Sequence, residues 1–486
     1  MNRKMVISTL RKMLFFEGFF LLLPMIVSII YGEAWWPFAS VAAGLFLIGG
    51  IGNIKEKSFD RAIYSKDGFF IVGMVWMLWS AFGALPFVIS GAIPDYIDAF
   101  FETVSGFTTT GSSILTDIES LPKGMLFWRS LTHWVGGMGV LVFVSAIIPL
   151  AQGRSMYILK AEMPGPAADK LVPKTRDTAQ ILYVIYLVLT VLQVLLLVIG
   201  GMPVYDSLVT TFGTAGTGGF SVRNASIGAY GNHYAEVVIT VFMLLFAMNF
   251  NVFFFVLMRK IKNAFKNGEL WLYLSIVFAS IVIVTINISC MEQYSGHVGD
   301  AVRDSSFHVA SIISTTGFAT ADFASWPALS QSILFILMMI GACAGSTGGG
   351  MKVVRLLLLG KIIRRDTRKI VRPRGVEKIR LSGNTVEEEV LSGVKTYMLI
   401  YFVIVFASFI LLSFEGKDFV TTITSVVTTF NNIGPGLGKV VGPTGNFVTW
   451  SAPAKIILSI DMLLGRLEIY PILVLLMPSL WRKKTL

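Results

Sequence analysis

Four short segments of this 486-residue chain share a pattern of residues that could bind a cation. They read DAFFETVSGFTTTG (98–111), DSLVTTFGTAGTGG (206–219), DSSFHVASIISTTG (304–317) and TTITSVVTTFNNIG (421–434). The first three begin with aspartate and reach a glycine thirteen residues later, and the fourth shares their Thr/Asn-rich ending. A ring of backbone carbonyls can replace the hydration shell of a potassium ion. The repeated pattern therefore predicts a four-part cation filter.

The candidate filter residues are the last three of each segment. They are Thr109, Thr110 and Gly111, then Thr217, Gly218 and Gly219, then Thr315, Thr316 and Gly317, and finally Asn432, Ile433 and Gly434. Glycine lets carbonyls line a narrow passage in conformations that other residues resist, while threonine and asparagine supply further oxygens. The register of the second segment is open because Gly213, Gly216, Gly218 and Gly219 are crowded together, although the aspartate spacing favours Gly219. Ordinary polar turns would explain one such segment, but they explain four at corresponding places poorly.

Composition indicates that a membrane surrounds these segments. The chain is 54% hydrophobic and only 14% charged, with a mean hydropathy of +0.72. Its apolar residues come in blocks such as 181–200 and 397–414, whose length matches the hydrocarbon thickness of a bilayer. Two cysteines and four histidines are too few and too scattered for a disulfide framework or a zinc site. We expect a polytopic membrane protein.

The apolar blocks and the four segments together predict the architecture. Ten full spans are expected at roughly 10–31, 35–52, 68–90, 124–150, 178–201, 235–258, 270–290, 328–363, 394–414 and 450–481, the first being an uncleaved span rather than a signal peptide. The predicted fold is all-α, with two N-terminal spans followed by four pseudo-symmetric helix–pore-helix–helix units around one central pore. The predicted boundaries are 1–66 for the extra spans and 67–152, 178–260, 268–364 and 393–486 for the units.

Each of the four segments is too short to cross a bilayer and must return as non-helical chain, which has to face protein or water. The partly negative C-terminal ends of the half-helices would then point at the pore centre and favour a cation.

The distribution of charge predicts the orientation. With the N-terminus inside, the inner segments hold 30 of the 40 lysines and arginines, so both termini are expected in the cytoplasm. This asymmetry accounts for most of the net charge of +11 without a nucleic-acid partner. The outer segments carry more acidic than basic residues. This excess could concentrate cations at the outer entrance of the pore, or it could simply reflect the scarcity of lysine and arginine in outer loops.

Span eight contains a glycine-rich interruption that could form a gate. The candidate gate residues are Gly341, Ala342, Cys343, Ala344, Gly345, Ser346, Thr347, Gly348, Gly349, Gly350 and Lys352. Each glycine costs about 1 kcal/mol in a helix relative to alanine, so this run should form a loop on the inner side of the filter. The alternative is a small-residue packing seam between helices, but consecutive glycines do not fit its four-residue spacing. Lys352 and Arg355 could anchor the inner end of the loop.

Arg466 is a second candidate for control of the pore, because a lone charge near the middle of the last span is costly. Neither Asp461 nor Glu468 lies at a spacing that would pair with it on one helix. It could form a barrier in the ion path or an ion pair with another helix. Pro471 is expected to kink the same span. His133 is expected to be a packed histidine rather than a proton sensor.

At the level of motifs, the chain resembles the Trk/Ktr/HKT superfamily of potassium transporters, and most of all its TrkH-like bacterial membrane subunits. The resemblance rests on the two extra spans and on SGFTTTG, AEMPGP (161–166), GACAGSTGGGMK (341–352), NNIGPGLG and LLGRLE. It implies that the candidate filter residues coordinate potassium, that the glycine-rich loop is an intramembrane gate and that Arg466 is a pore barrier. Glycine in all four filter strands implies a preference for potassium, with modest discrimination because the filter is short.

We therefore expect potassium uptake across the bacterial inner membrane through a gated pore, with potassium as the permeating ion. The alternative is a symporter that couples potassium to protons or sodium. An enzyme is not expected, because no cluster of His, Asp, Glu or Ser indicates one. No nucleotide-binding motif and no organic cofactor site is found in the sequence, so nucleotide control would come from a separate protein. The resemblance implies a homodimer and a TrkA-like cytosolic regulator, and the basic segment 361–395 predicts contact with membrane lipids or such a partner.

Overall fold

The computed structural model describes residues 3–50, 65–147, 175–375, 377–381 and 383–477. The predicted turn at 161–166 and most of the basic residues expected at 55–66, 154–176 and 482–484 lie outside these ranges. The helices of the first half are α1 (Arg3–Ile30), α2 (Trp36–Gly50), α3 (Ser65–Gly83), α4 (Leu85–Ser90), α5 (Tyr96–Phe107), α6 (Lys123–Ile147), α7 (Thr175–Ile199), α8 (Val204–Gly216), α9 (His233–Ala247), α10 (Phe250–Leu257) and α11 (Ile261–Phe265). Those of the second half are α12 (Gly268–Ile288), α13 (Val298–Ile313), α14 (Ala328–Ile340), α15 (Val353–Val371), α16 (Glu388–Ser413), α17 (Phe419–Phe430), α18 (Ala452–Arg466) and α19 (Tyr470–Leu476).

A short antiparallel hairpin lies between α15 and α16. Its two strands, β1 (Arg380–Leu381) and β2 (Asn384–Thr385), have two residues each. Five described helices are long and apolar enough to cross a membrane, and α9 with α10 would form a sixth span. The chain is thus a multi-pass, all-α membrane protein, as the sequence predicts.

Two predicted spans are not continuous. The sequence predicts an unbroken helix over 235–258, but α9 and α10 meet at an angle of 92°. The span predicted over 450–481 is also interrupted: α18 ends at Arg466 and α19 begins at Tyr470, immediately before Pro471, where the sequence predicts a kink. The prediction of one continuous span over 235–258 is wrong, whereas the interruption of the last span agrees with the kink expected at Pro471. Hydropathy reports only that the residues are apolar, whereas a break depends on which backbone groups neighbouring segments can satisfy.

Four short helices, α5, α8, α13 and α17, of 12 to 16 residues, end at the segments singled out in the sequence. Aspartates cap two of them. Asp95 accepts hydrogen bonds from the amides of Ile97 and Asp98 at the start of α5, and Asp418 accepts one from the Thr421 amide at the start of α17. An oxygen at the N-cap satisfies amides that the first helical turn leaves unpaired, so these helices have well-defined starting points.

The four units close into a ring. The helix that follows each half-helix packs against the half-helix of the next unit: α6 against α8, α9 against α13, α14 against α17, and α18 back against α5. Helices α1 and α2 pack against each other outside this ring, with α1 also contacting α3 and α6. This cyclic packing places the ends of all four half-helices around one axis, which is the arrangement that a central pore requires.

Candidate ion pathway

The four return strands share one backbone conformation. The residue two positions before each candidate filter glycine has a positive φ, at 55° for Thr109, 56° for Thr217, 60° for Thr315 and 55° for Asn432. The glycines themselves follow at 84° for Gly111, 77° for Gly219, 83° for Gly317 and 101° for Gly434. Positive φ is uncommon for a residue with a side chain, so its recurrence at matching places marks a repeated structural unit. In the second unit the matching pair is Thr217 and Gly219.

The candidate filter glycines also touch one another's strands in cyclic order. A Cβ added to Gly111 would lie 1.9 Å from the Gly218 carbonyl oxygen, and one added to Gly219 would lie 2.0 Å from that of Thr316. A Cβ added to Gly317 would lie 2.0 Å from the Ile433 oxygen, and one added to Gly434 would lie 2.8 Å from the Thr110 oxygen, which closes the circle. Only glycine leaves room for these carbonyls.

Side-chain hydrogen bonds fix the strands on the half-helices. The hydroxyls of Thr108 and Thr110 lie 2.8 Å apart, and those of Ser314 and Thr316 lie 2.7 Å apart in the third unit. Asn432 joins the fourth strand to the first by donating to the Thr110 hydroxyl at 2.9 Å. The Oγ1 atom of Thr109 and the Oδ1 atom of Asn432 are buried without a hydrogen-bond partner in the described part of the structure. The ring is therefore held by polar contacts while retaining free oxygens.

A cavity of about 130 Å³ opens on the side of the ring where the chain continues beyond the four glycines. It is lined by all four filter glycines and by loop residues such as Ser112 and Asn446. The segment 435–446 folds over one side of it, where Asn446 donates its amide to the Val440 carbonyl at 3.0 Å. We call this side of the molecule the mouth.

The glycine-rich loop, residues 341–352, lies directly against the other side of the ring. The amide of Gly349 donates to the Thr315 hydroxyl at 2.7 Å, which joins the loop to a candidate filter residue. A Cβ on Gly349 would lie 2.3 Å from the Asn431 carbonyl oxygen. A cavity of about 10 Å³, roughly enough for one water molecule, lies between the loop and α18. The loop thus packs directly beneath the ring.

The same loop is anchored at the bend between α9 and α10. Cys343 donates its amide to the Ala247 carbonyl at 3.0 Å, and Phe250 donates its amide to the Gly345 carbonyl at 3.0 Å. The buried Glu269 carboxylate of α12 accepts from the Ala344 amide at 2.6 Å and from the Asn249 amide group at 3.3 Å. These contacts satisfy backbone groups that the bend and the loop both leave unpaired. Sequence reasoning missed Asn249 and Glu269, although an Asn–Phe–Asn segment within an apolar block is a detectable signal.

Arg466 bridges the loop and the first unit. Its terminal nitrogens donate to the Thr347 carbonyl at 2.6 Å and to the Gly136 carbonyl at 2.8 Å. Its Nε atom has no hydrogen-bond partner in the described part of the structure. Backbone carbonyls, rather than a carboxylate on another helix, are the recorded partners of this guanidinium, and one of them belongs to the candidate gate.

Two further basic residues hold the inner end of the loop. Lys352 has a positive φ of 74°, and its ammonium group donates to the Gly348 carbonyl. Arg355 pairs with Glu468, and its guanidinium lies 3.8 Å from the centre of the Tyr397 ring. Glu468 and Ile469 have positive φ, at 54° and 70°, so the break in the last span presents Glu468 to Arg355. The sequence suggested the anchoring role of the two basic residues but not this acidic partner.

Buried acidic residues are more numerous than the sequence indicates. Asp461, the one acid expected near the membrane midplane, accepts from the Ser408 hydroxyl at 2.8 Å. Glu17 is also fully buried, near the middle of α1, and neither of its oxygens has a hydrogen-bond partner among the described residues. Glu102 is buried on α5 and paired with Arg129. Hydropathy conceals such residues because one acid scarcely changes the average of an apolar block.

His133 is fully buried between the first two return strands. Its Nδ1 atom lies 2.8 Å from the Gly106 carbonyl, and its Nε2 atom lies 3.2 Å from the Phe220 amide. A neutral imidazole with the proton on Nδ1 donates to the carbonyl and accepts from the amide, so both nitrogens are in use. Packing of this kind is what the sequence favoured over a proton sensor.

Comparison with known proteins agrees with this geometry. The model of the TrkH family, described as a cation transport protein, matches residues 38–483. The Trk system potassium uptake protein TrkH of Escherichia coli K12 is 36% identical over 95% of this chain and 96% of its own length. TrkH of Halomonas elongata is 33% identical over 99% of this chain and 100% of its own length.

Among solved structures, the crystal structure of the potassium transporter TrkH from Vibrio parahaemolyticus matches with a TM-score of 0.89 at 32% identity. That match covers 99% of this chain and 100% of the other. These relatives are named as transport proteins, which confirms the prediction that the chain is not an enzyme. The chain belongs to the TrkH family of cation transport proteins.

Proposed function

We propose that this protein takes up potassium across the bacterial inner membrane through the ring of four return strands. The observation that carries the proposal is the cyclic contact between each filter glycine and the carbonyl of the next unit. Such a ring presents backbone oxygens from four sides, which is the chemistry that replaces the hydration shell of a potassium ion. The relatives are named as potassium uptake proteins of a Trk system, which supports it.

The filter residues of this proposal are the twelve predicted from the sequence, with Gly219 as the glycine of the second unit. The shared positive φ at Thr217 and Gly219 supports that register over one based on Gly213, Gly216 or Gly218. Potassium is the transported ion, and the described residues contain no group of three or more His, Cys, Asp or Glu that could hold a resident metal.

Residues 341–352 form the gate in this proposal, and Arg466 forms the barrier next to it. The Gly349–Thr315 hydrogen bond places the loop against the filter, and the Arg466–Thr347 hydrogen bond adds a positive charge at the same place. A cation leaving the ring would meet this guanidinium in a space from which water is largely excluded, where charge repulsion is strong. Opening then requires the loop to leave both contacts.

The mouth faces the outside and both termini face the cytoplasm in this proposal, in keeping with the charge asymmetry of the sequence. The cytoplasmic side then includes α15, the hairpin and the start of α16, around an open cavity of about 1030 Å³. Five basic and three acidic residues line it, and Arg365 and Arg368 are paired with Glu388 and Glu377, so the surface is basic on balance through Lys369, Arg372 and Arg374. This basic surface is suited to acidic lipid headgroups or an acidic protein surface. Assembly as a homodimer with a TrkA-like nucleotide-binding regulator is the accompanying proposal, and the Trk system named for the relatives supports it.

Coupled symport is the second candidate because Glu17 and Asp461 are buried carboxyl groups in membrane helices. Ionisable groups at membrane depth commonly serve proton relays in carriers. Under this alternative, potassium would move only with a proton or sodium gradient.

The test is ion flux into proteoliposomes that contain the purified protein, with the membrane potential clamped and no proton gradient. Wild type is compared with Gly345→Ala/Gly349→Ala and with Gly317→Ser, and sodium is the competing ion. Gly360→Ala is the control, because a Cβ at Gly360 of α15 meets no atom within 4 Å. We expect passive potassium flux that rises in the loop variant, loses selectivity in the Gly317→Ser variant and is unchanged in the control.

Flux that appears only when a proton or sodium gradient is imposed would replace the channel mechanism with a coupled carrier. If the ratio of potassium flux to sodium flux is the same in Gly317→Ser as in wild type, the filter assignment is contradicted.

A further inference from the structure

The half-helices carry different side chains at one repeated position, nine residues before the filter glycine. These residues are Glu102, Thr210, His308 and Ser425. In the first unit, the Glu102 carboxylate accepts from the Ser113 hydroxyl and from the Ile114 amide, each at 2.9 Å. Both partners lie two to three residues beyond Gly111, so this carboxylate fixes the strand where it leaves the ring.

The third and fourth units fix the same part of their strands in other ways. The Nε2 atom of His308 lies 3.4 Å from the amide nitrogens of both Thr320 and Ala321. In the fourth unit the adjacent residue of the half-helix, Thr424, takes this place: its hydroxyl donates to the Val420 carbonyl at 2.7 Å and accepts from the Leu437 amide at 3.2 Å. A polar side chain on the half-helix thus holds its own return strand in three units.

The second unit depends on its neighbour instead. Within the described structure, the Thr210 side chain makes no recorded hydrogen bond to its strand. Two side chains of α6, which belongs to the first unit, take this place: Arg129 donates to the Ser221 carbonyl at 2.9 Å, and His133 accepts from the Phe220 amide. At Phe220 and Ser221 the second strand is therefore positioned from outside its own unit, whereas Asp206 of α8 lies 4.0 Å from Arg223 further along the chain.

Arg129 and Glu102 form one buried group that joins the two strands. The Nε atom of Arg129 lies 2.6 Å from the Glu102 carboxylate, and the two side chains are 2% and 0% exposed. The Arg129 guanidinium also lies 3.5 Å from the centre of the Phe220 ring. Ser113 and Ile114 of the first strand are thereby connected through two charged side chains to Ser221 of the second. Removing either charge would leave the other buried and unpaired, so the pair acts as a unit.

We propose that the Glu102–Arg129 pair sets the spacing between the first and second filter strands and so determines how well the ring distinguishes potassium from smaller cations. The pair does not touch the ion; both are positioning residues that act through the backbone at residues 113, 114 and 221. The inference rests on the proposed filter. A ring whose first two strands are no longer held together accommodates a smaller ion more readily, because its carbonyls can approach the centre.

The test measures the permeability ratios of potassium to sodium and of potassium to rubidium, besides total flux, in proteoliposomes. Glu102→Gln removes one charge with little change in size, and Arg129→Gln removes the other charge and shortens the side chain. Arg129→Lys keeps the charge but loses the planar fork. Glu119→Gln is the matched control, because Glu119 also pairs with an arginine, Arg223, at 3.2 Å but at an exposed site. Gly317→Ser reports independently on the filter itself.

We expect the potassium-to-sodium ratio to fall several-fold in Glu102→Gln and Arg129→Gln, to recover in part in Arg129→Lys and to stay unchanged in Glu119→Gln. A merely structural pair would lower the yield or total flux and leave the ratio intact, which would overturn the inference. If Gly317→Ser changes the ratio and the pair variants do not, the inference fails while the proposed filter stands. If no variant changes it, the filter assignment fails and the inference with it.

Discussion

Gly111, a candidate filter glycine, and Gly201 have the same backbone angle but different surroundings. Gly111 and Gly201 both have a φ of 84°, but a Cβ at Gly201 meets no atom within 4 Å, whereas one at Gly111 meets the Gly218 carbonyl at 1.9 Å. An alanine at either position would suffer backbone strain, but only an alanine at Gly111 would also clash with the ring. Comparing the two substitutions therefore separates backbone strain from damage to the ring.

We expect Gly201→Ala to cost about 1–2 kcal/mol of stability through backbone strain and to leave ion selectivity unchanged. Gly111→Ala should bear the same strain and also displace the Gly218 carbonyl, so potassium flux should collapse or become unselective. Thermal unfolding in detergent measures the first effect, and flux with potassium and sodium measures the second. A Gly201→Ala variant that loses selectivity as Gly111→Ala does would show that strain alone explains the glycines.

Substitution of Arg466 tests directly whether its positive charge is a barrier to cations. Arg466→Gln keeps a group that can donate to a carbonyl but removes the positive charge beneath the ring. Basal potassium flux should rise, by about tenfold for each 1.4 kcal/mol by which the barrier falls. Arg364→Gln, at an exposed position on α15, is the control for loss of one positive charge. Unchanged flux in Arg466→Gln would mean that the guanidinium only supports the Thr347 and Gly136 carbonyls.

Among the elements, the half-helices and the interruption in span eight could be predicted from the sequence because local residue types determine them. Consecutive glycines disfavour a helix wherever they occur, and a short apolar segment that ends in Thr and Gly cannot span. The bend between α9 and α10 has no such local cause, since neither glycine nor proline lies at Met248 or Asn249. The glycine-rich loop of the next unit supplies hydrogen-bond partners there, which stabilises the bend.

Substitution of Asn249 tests whether the bend between α9 and α10 and the glycine-rich loop support each other. The Asn249 side chain accepts from the Asn251 amide at 3.0 Å, which caps α10, and donates to Glu269, which in turn accepts from the Ala344 amide of the glycine-rich loop. Asn249→Ala should cost about 1 kcal/mol as a lost cap and should also raise basal flux, because the loop loses part of its anchor.

The matched control is Asn232→Ala. Asn232 caps α9 by accepting from the Ala235 amide at 3.1 Å, and it lies at the opposite end of that helix from the bend. Its removal should lower stability by a similar amount and leave flux unchanged. Equal flux in the two variants would show that the bend does not support the gate.

At the scale of the whole molecule, the sequence predicts the four units, but not how they are joined. The repeat is visible because each unit carries its own copy of the segment. The contacts that join the units, such as Arg129 with Ser221 and Asn432 with Thr110, connect residues 92 and 322 positions apart. No local pattern encodes those pairings. Spacing in the sequence is thus enough to propose the candidate filter residues, whereas the residues that position them can be found only in the packed structure.

Orientation is the whole-molecule property that the chain's own cysteines can test. Cys290 is exposed and follows α12 on the side of the mouth, while Cys343 is buried in the gate loop. If the mouth faces outward, a membrane-impermeant thiol reagent added to intact spheroplasts should label the wild type and not Cys290→Ser. In the Cys290→Ser background, Thr385→Cys on the exposed β2 strand should be labelled only after the membrane is permeabilised. If instead Thr385→Cys were labelled in intact spheroplasts and Cys290 only after permeabilisation, the mouth would face the cytoplasm. The positive-inside argument would then fail for this chain, because it assigns the mouth to the outside.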